Sequence, residues 1–179
     1  MPLSARLERR AGLTVAALGD ECMAWIADYQ HHAGEGSTLG FLEFVIAHTG
    51  EPVLLSLARF ERALIVARRA RDRETPSASA GLGKQLYLHP AARTIDLPGP
   101  ADQVIAAVSL GVEVAPYAGW PVLVAPRLPT LWRKASALED ALCTWLTRPR
   151  NTDEVLARFP GSEHAIPQLL VAGALVSRD

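Results

Sequence analysis

The sequence predicts an α+β fold, with a helical first part and a smaller second part that combines short antiparallel strands with three closing helices. Three observations predict it. Apolar residues recur every three to four positions up to about residue 73, they alternate with a period of two after residue 84, and the longer period returns from Leu138. Between the first two regimes the composition shifts abruptly, in the charged and then Pro, Ser and Gly-rich stretch "RRARDRETPSASAGLGK". The expected organisation is a helical domain over residues 1–75, a linker over 76–84 and a second domain over 85–179.

In the first domain Leu3, Leu7, Ala11, Val15 and Leu18 share one helical face, which Met23, Ala24 and Ala27 would extend. After the break "HHAGEGSTLG", a short helix from Leu39 to His48 carries Phe41, Leu42, Phe44, Val45 and Ile46 and stops at Gly50. Pro52 suits the first turn of the next helix, where its missing amide donor has no intrahelical partner to lose. That helix places Val53, Leu57, Phe60, Leu64 and Ala67 on one face, with Arg59, Glu61, Arg62, Arg68 and Arg69 elsewhere.

In the second domain "KQLYLHP" and "RTIDLPG" alternate as short strands punctuated by Pro90, Pro98 and Pro100. Ala101–Leu110 follows as a helix, although its β-branched content leaves a strand open. Pro121–Ala125 and Thr130–Lys134 read as a strand pair. Leu138, Ala141, Leu142 and Trp145 then form a core-facing stripe. Asn151 or Thr152 caps the next helix, with Glu154 as a reciprocal partner and Val155, Leu156 and Phe159 as its apolar residues. After a turn at Pro160–Ser162, a third helix starts near Glu163, because Pro167 is harmless only in the first turn, and it turns Ile166, Leu169 and Leu170 inward. Ala174–Val176 closes the chain as a wing or strand, so the second domain is winged-helix-like.

With 179 residues, 49% hydrophobic and 21% charged, the chain has the composition of a globular protein. A net charge of -1 supplies no overall attraction to phosphate backbones or anionic membranes, so neither nucleic acid nor membrane is an expected partner. Cys22 and Cys143 lie far apart and fit neither a disulfide framework nor a zinc site, which points to a reducing cytoplasm. The competing expectation is a signal peptide, imitated by Arg6, Arg9 and Arg10 ahead of the apolar run Ala11–Gly19. The longest near-continuous apolar stretch, Ala165–Val176, contains Pro167 and Gln168 and falls short of the ~20 residues that cross a bilayer.

Helix-turn-helix chains usually read DNA, yet the helix Glu163–Gly173 offers only His164 and Gln168 to base edges, and Arg148, Arg150 and Arg158 are offset by Asp153 and Glu154. The cluster Arg62, Arg68, Arg69, Arg71 and Arg73 fits a solvated helix end. His31 and His32 are adjacent, so on a helix their rings point about 100° apart, and Asp28, three and four residues before them, adds a carboxylate–histidine pair of the kind common in solvated segments; no metal site is expected. Ser56 lacks the glycines of a nucleophile elbow, both cysteines fall on apolar helical faces, and "GLGK" precedes a strand where a phosphate loop would precede a helix. No catalytic residue is therefore assigned.

"LARFERALIVARRA" (Leu57–Ala70), "LYLHPAARTIDLP" (Leu86–Pro98) and "YAGWPVLVAPRLPTLWR" (Tyr117–Arg133), followed by the terminal helix-turn-helix block, resemble the partner proteins of multinuclear non-haem iron-dependent oxidases, within which they are most similar to the MbnC type of methanobactin biosynthesis. The resemblance spans most of the chain. It implies a non-catalytic subunit that pairs with the oxidase as a heterodimer and binds the leader of a ribosomally made precursor peptide, so that a cysteine becomes an oxazolone and thioamide. It also implies that the iron belongs to the oxidase and that this chain carries no cofactor of its own.

The residues allow the same role on their own terms, since an exposed strand edge offers main-chain hydrogen bonds while neighbouring pockets choose side chains. The hairpin Pro121–Lys134 is the candidate edge: Leu128, Leu131 and Trp132 would give apolar contacts, and Arg127, Arg133 and Lys134 would attract an acidic leader. Burial within the domain is the competing expectation for Leu131 and Trp132. The alternative function is a winged-helix transcriptional regulator, and a small enzyme with convergent polar side chains in one cleft is a third.

Overall fold

The computed structural model of the chain describes residues 1–34, 36–73, 82–114 and 119–178. The fold is α+β, and the chain divides into two compact units, Met1–Ile65 with Asp96–Trp120 and Val66–Ile95 with Pro121–Asp179. Most of the expected 76–84 linker lies outside the described residues. Among the described residues no helix is long and apolar enough to cross a membrane.

The first unit contains α1 (Leu3–Arg10), α2 (Gly12–Leu18), α3 (Cys22–Ala33), α4 (Thr38–His48), the first part of α5 (Pro52–Arg73) and α6 (Ala101–Ser109). Leu3, Leu7, Ala11 and Leu18 are buried, as their spacing predicts. The face does not continue through Met23, which is 65% exposed; a 3-10 turn over Gly19–Glu21 rotates the chain, and Cys22, Ile26 and Tyr29 are buried instead. Ser37 caps α4 by accepting the Gly40 amide at 3.0 Å, and the Tyr29 hydroxyl accepts the Ser37 amide at 3.0 Å. Gly40 is required by this close approach, because any Cβ there would run into the Tyr29 hydroxyl. Leu57 of α5 packs with Val104 and Val108 of α6, which is why α6 belongs to this unit although it follows the linker in sequence.

Glu61, expected outside the apolar face of α5, is only 6% exposed. Helix α2 starts after Ala11 and has no side-chain cap of its own. Its first amides find acceptors on α5: Leu13 and Thr14 donate to the two carboxyl oxygens of Glu61, each at 2.8 Å. Amides of a first helical turn have no intrahelical partner, so one carboxyl satisfies two donors that would otherwise be orphaned inside the unit. Burial pushes the Glu61 carboxyl above its ordinary value, and hydrogen bonding from Thr14 and Leu13 pulls it part of the way back. At the surface of the same helix, Arg62 pairs with Glu43 at 2.7 Å, so this member of the arginine cluster serves the fold.

The second unit holds β1 (Gln85–Leu88), α7 (Ala137–Trp145), β5 (Arg150–Asn151), α8 (Thr152–Arg158), α9 (Ser162–Val171) and β6 (Leu175–Arg178), together with most of the strands β2 (Arg93–Leu97), β3 (Trp120–Val124) and β4 (Trp132–Lys134). The strands form two three-stranded sheets, ordered β5-β1-β6 and β2-β3-β4. In the first, β1 runs antiparallel to both neighbours, with Leu86 opposite Arg150 and Ser177, and Leu88 opposite Leu175. In the second, Val122 lies opposite Lys134 and Val124 opposite Trp132. The two strands adjacent in sequence, β1 and β2, thus enter different sheets.

Leu86, Leu123, Leu142, Leu146, Val155, Ile166 and Leu169 centre the core of this unit. On α7 the buried face is set one position away from the expected stripe: Leu142 is buried, Leu138, Ala141 and Trp145 are half-buried, and Glu139 and Cys143 take the inner positions. Asn151 caps α8 by accepting the Asp153 amide at 2.8 Å. Helix α9 starts at Ser162, one residue earlier than Pro167 suggests, which places the proline at the sixth helical position and leaves the Glu163 carbonyl without its helical donor. The helix closes with two bonds, Gly173 donating to Leu170 at 3.0 Å and Ala174 to Leu169 at 2.8 Å, around Gly173 at φ 68°. This is a Schellman motif, and the left-handed residue it needs is most readily a glycine.

Glu61→Ala is expected to lower unfolding stability by about 2 kcal/mol, because two buried amides lose their acceptor. Glu61→Gln should also destabilise the fold, since one of its two polar atoms becomes a donor facing a donor. Urea denaturation checks both, and unchanged midpoints would show that the α2 amides are satisfied in another way.

Candidate functional site

The turn between β3 and β4 is drawn in by its own backbone. Ala125 donates to Leu131 at 3.0 Å, Leu131 donates to Leu128 at 3.0 Å, and the Thr130 hydroxyl donates to the Trp132 carbonyl at 2.6 Å. Leu131 takes the left-handed backbone conformation, φ 66°, which is costly for a branched side chain and is held by burial: its exposure is 3%. The Arg127 amide donates to the Ala172 carbonyl at 3.0 Å, tying the turn to the end of α9. A Cβ on Gly173 would press on the Arg127 side chain, so this glycine also makes room for the arginine stem.

Where the turn meets α9, a cavity of about 390 Å³ opens at the surface. Arg127, Leu128 and Pro129 of the turn and Arg133 of β4 line one side; Pro167, Gln168, Val171 and Ala172 of α9 line the other. Val171 is 72% exposed, a large apolar side chain left on the outer face of the helix. The lining is therefore apolar, with Gln168 and two arginines as its polar members, and its size falls in the range of small ligand sites. Strand β4 is terminal in its sheet, and through Arg133 it contributes directly to the cavity.

The arginines differ in what holds them. Arg133 forms a two-pronged pair with Glu139, Nη1 donating to Oε2 at 2.9 Å and Nη2 to Oε1. Glu139, 5% exposed, also accepts the Ser136 amide at 2.9 Å while Ser136 Oγ accepts the Glu139 amide at 3.2 Å, the reciprocal arrangement that starts α7. The hydrogen-bonded Arg133 guanidinium, helped by the Ser136 amide and opposed by burial, holds the Glu139 carboxyl below its ordinary value. Arg127 has no such partner among the described residues.

Of the six residues expected to contact peptide, the structure brings Arg127, Leu128 and Arg133 to the cavity. Leu131 is interior and is not offered to a ligand; Trp132 is half-buried and Lys134 exposed on β4, and neither lines the cavity. The wall supplied by α9 was not anticipated. Its signal in the sequence was Pro167 and Val171, four residues apart on the helical face opposite Ile166 and Leu169.

Other candidates do not assemble. Among the described residues no group of three or more His, Cys, Asp or Glu side chains is placed to hold a metal. His32 Nδ1 lies 2.8 Å from the Asp28 carbonyl oxygen, as a histidine closing a helix does. Cys22 and Cys143 are free and buried, and burial pushes the Cys143 thiol up to about 12. A hollow of about 410 Å³ in the first unit is edged by Glu51, whose carboxyl is already occupied with the Val53 and Leu54 amides at the start of α5.

Because its folded pKa is depressed, the Glu139 carboxyl contributes stability above its ordinary value of 4.5 and loses it as the pH falls through the lowered value. Thermal melts from neutral pH down to pH 3 should show this acid limb in the native chain and a flatter one in Glu139→Gln, in that ~pH window below the ordinary glutamate range. Equal slopes would remove the pair from the account. No protein-family model matches the chain and no curated protein matches it.

Proposed function

We propose that the chain is a non-catalytic partner subunit of an iron-dependent, peptide-modifying oxidase, and that it holds the leader of a ribosomally made precursor peptide in the cytoplasm. The observation that carries this reading is the groove beside α9: an apolar lining with exposed Val171 and Pro167 and, at its side, an Arg127 with no ion-pair partner among the described residues. A peptide laid in such a groove gains affinity and specificity from the apolar side chains that line it. Arg127 favours an acidic residue in that peptide. The resemblance to partner proteins of iron oxidases supports the first half of the proposal, and implies that the iron and the oxidation chemistry belong to the other subunit.

The regulator alternative is supported less well. The outward residues of α9 are Glu163, His164, Pro167, Gln168 and Val171, with no lysine or arginine among them, whereas a recognition helix needs cationic and amide donors for phosphates and base edges.

On co-expression, the chain is expected to co-purify with an iron oxidase and its precursor peptide. Val171→Glu and Arg127→Glu should each weaken leader binding about tenfold, the loss typical of an interface residue worth more than 1 kcal/mol. Calorimetry with the leader peptide measures this; native affinity in both variants would remove the groove from the proposal, and tight, salt-sensitive duplex binding would favour the regulator.

A further inference from the structure

A second feature of the same unit is short of one negative charge. Trp145 ends α7, Arg150 lies in β5 and Arg158 ends α8. The guanidinium carbons of Arg150 and Arg158 stand 4.7 and 5.3 Å from the centre of the Trp145 ring, so the two charges are no farther apart than the sum of those distances. Phe159 meets the same indole edge-on, with ring centres 5.5 Å apart. Asp153 and Glu154 look in sequence like the counter-charges, yet among the described residues neither forms an ion pair with Arg148, Arg150 or Arg158.

Two like charges held over one ring repel each other, the more so beside a partly buried side chain where the dielectric is lower than in water. The ring's negative face offsets only part of that repulsion. Arg150 Nε is also shielded from solvent and has no hydrogen-bond acceptor among the described residues, which is a cost in any buried donor. One oxyanion between the two guanidinium groups would relieve the repulsion through their exposed Nη donors; Arg150 Nε, closed to water, takes no part. The fork of a guanidinium matches a planar carboxylate through two parallel hydrogen bonds.

We propose that Trp145, Arg150 and Arg158 form a binding site for a carboxylate side chain of an acidic peptide. The proposal rests on the peptide-binding reading given above and adds to it the chemistry of a second anchor: glutamate or aspartate here, apolar residues in the groove beside α9. A single-stranded nucleic acid fits less well, because its bases need an open aromatic face and this indole is already engaged by two guanidinium groups and by Phe159.

The test uses the full chain at low ionic strength and a short fluorescein-labelled peptide of glutamate, glycine and leucine, read by fluorescence anisotropy. Its glutamine counterpart and an oligothymidylate of equal charge are the comparison ligands. The glutamate peptide is expected to bind saturably and the glutamine peptide not. Arg158→Gln, at an exposed position, and Arg150→Lys, which keeps the charge but loses the fork, should each weaken binding about tenfold with an unchanged circular dichroism spectrum. Native affinity in both variants, or tighter binding of the oligothymidylate, overturns the proposal. If only Val171→Glu weakens the peptide, this site is refuted and the groove reading stands; if the native chain binds none of the peptides, both fall.

Discussion

Helix α7 begins where Ser136 and Glu139 satisfy each other's backbone amides, and the same buried carboxylate grips Arg133 on the neighbouring strand β4. A carboxylate removed from water has to find several donors at once, and this one finds a main-chain amide and a guanidinium fork. The consequence reaches the surface. With Arg133 held, β4 is fixed relative to the start of α7, the β3–β4 turn closes over Leu131, and Arg127 reaches the carbonyl of Ala172 at the end of α9. The groove exists because the turn and the helix are tied at that point.

The first unit uses the same device with a different connection. There Glu61 reaches from α5 to the uncapped start of α2, so a helix without its own capping side chain borrows one from a residue 48 positions away in the sequence. In both units a glutamate replaces solvent at a helix start. Such a group acts as a geometric constraint more than as a source of net energy, because much of what its hydrogen bonds contribute offsets the loss of hydration.

Local patterns were legible in the sequence. The strands Gln85–Leu88 and Arg93–Leu97, the helix opened by Pro52, the cap at Asn151 and the inward pair Ile166 and Leu169 all follow from periodicity and terminal residues. What escaped was set by partners distant in sequence. Periodicity cannot show that Glu61 is buried, since the amides that make this tolerable lie on α2, nor that α6 packs against Leu57. For the same reason the sequence leaves Leu131 between a ligand contact and the core: an apolar residue in a hairpin is ambiguous until its backbone conformation is known. Arg150 and Arg158 were balanced on paper by Asp153 and Glu154, but charge counts ignore direction, and the side chains turn to Trp145 instead.

The central strand of one sheet is β1, and both of its neighbours are made much later in the chain: β5 at Arg150–Asn151 and β6 at Leu175–Arg178. During translation, Gln85–Leu88 emerge with their backbone donors and acceptors unsatisfied on both sides. They stay so until residues 175–178 leave the ribosomal tunnel. Nascent chains with an unpaired strand of this kind are prone to off-pathway association, so the yield of folded protein should depend on what shelters Leu86 and Tyr87 during that interval.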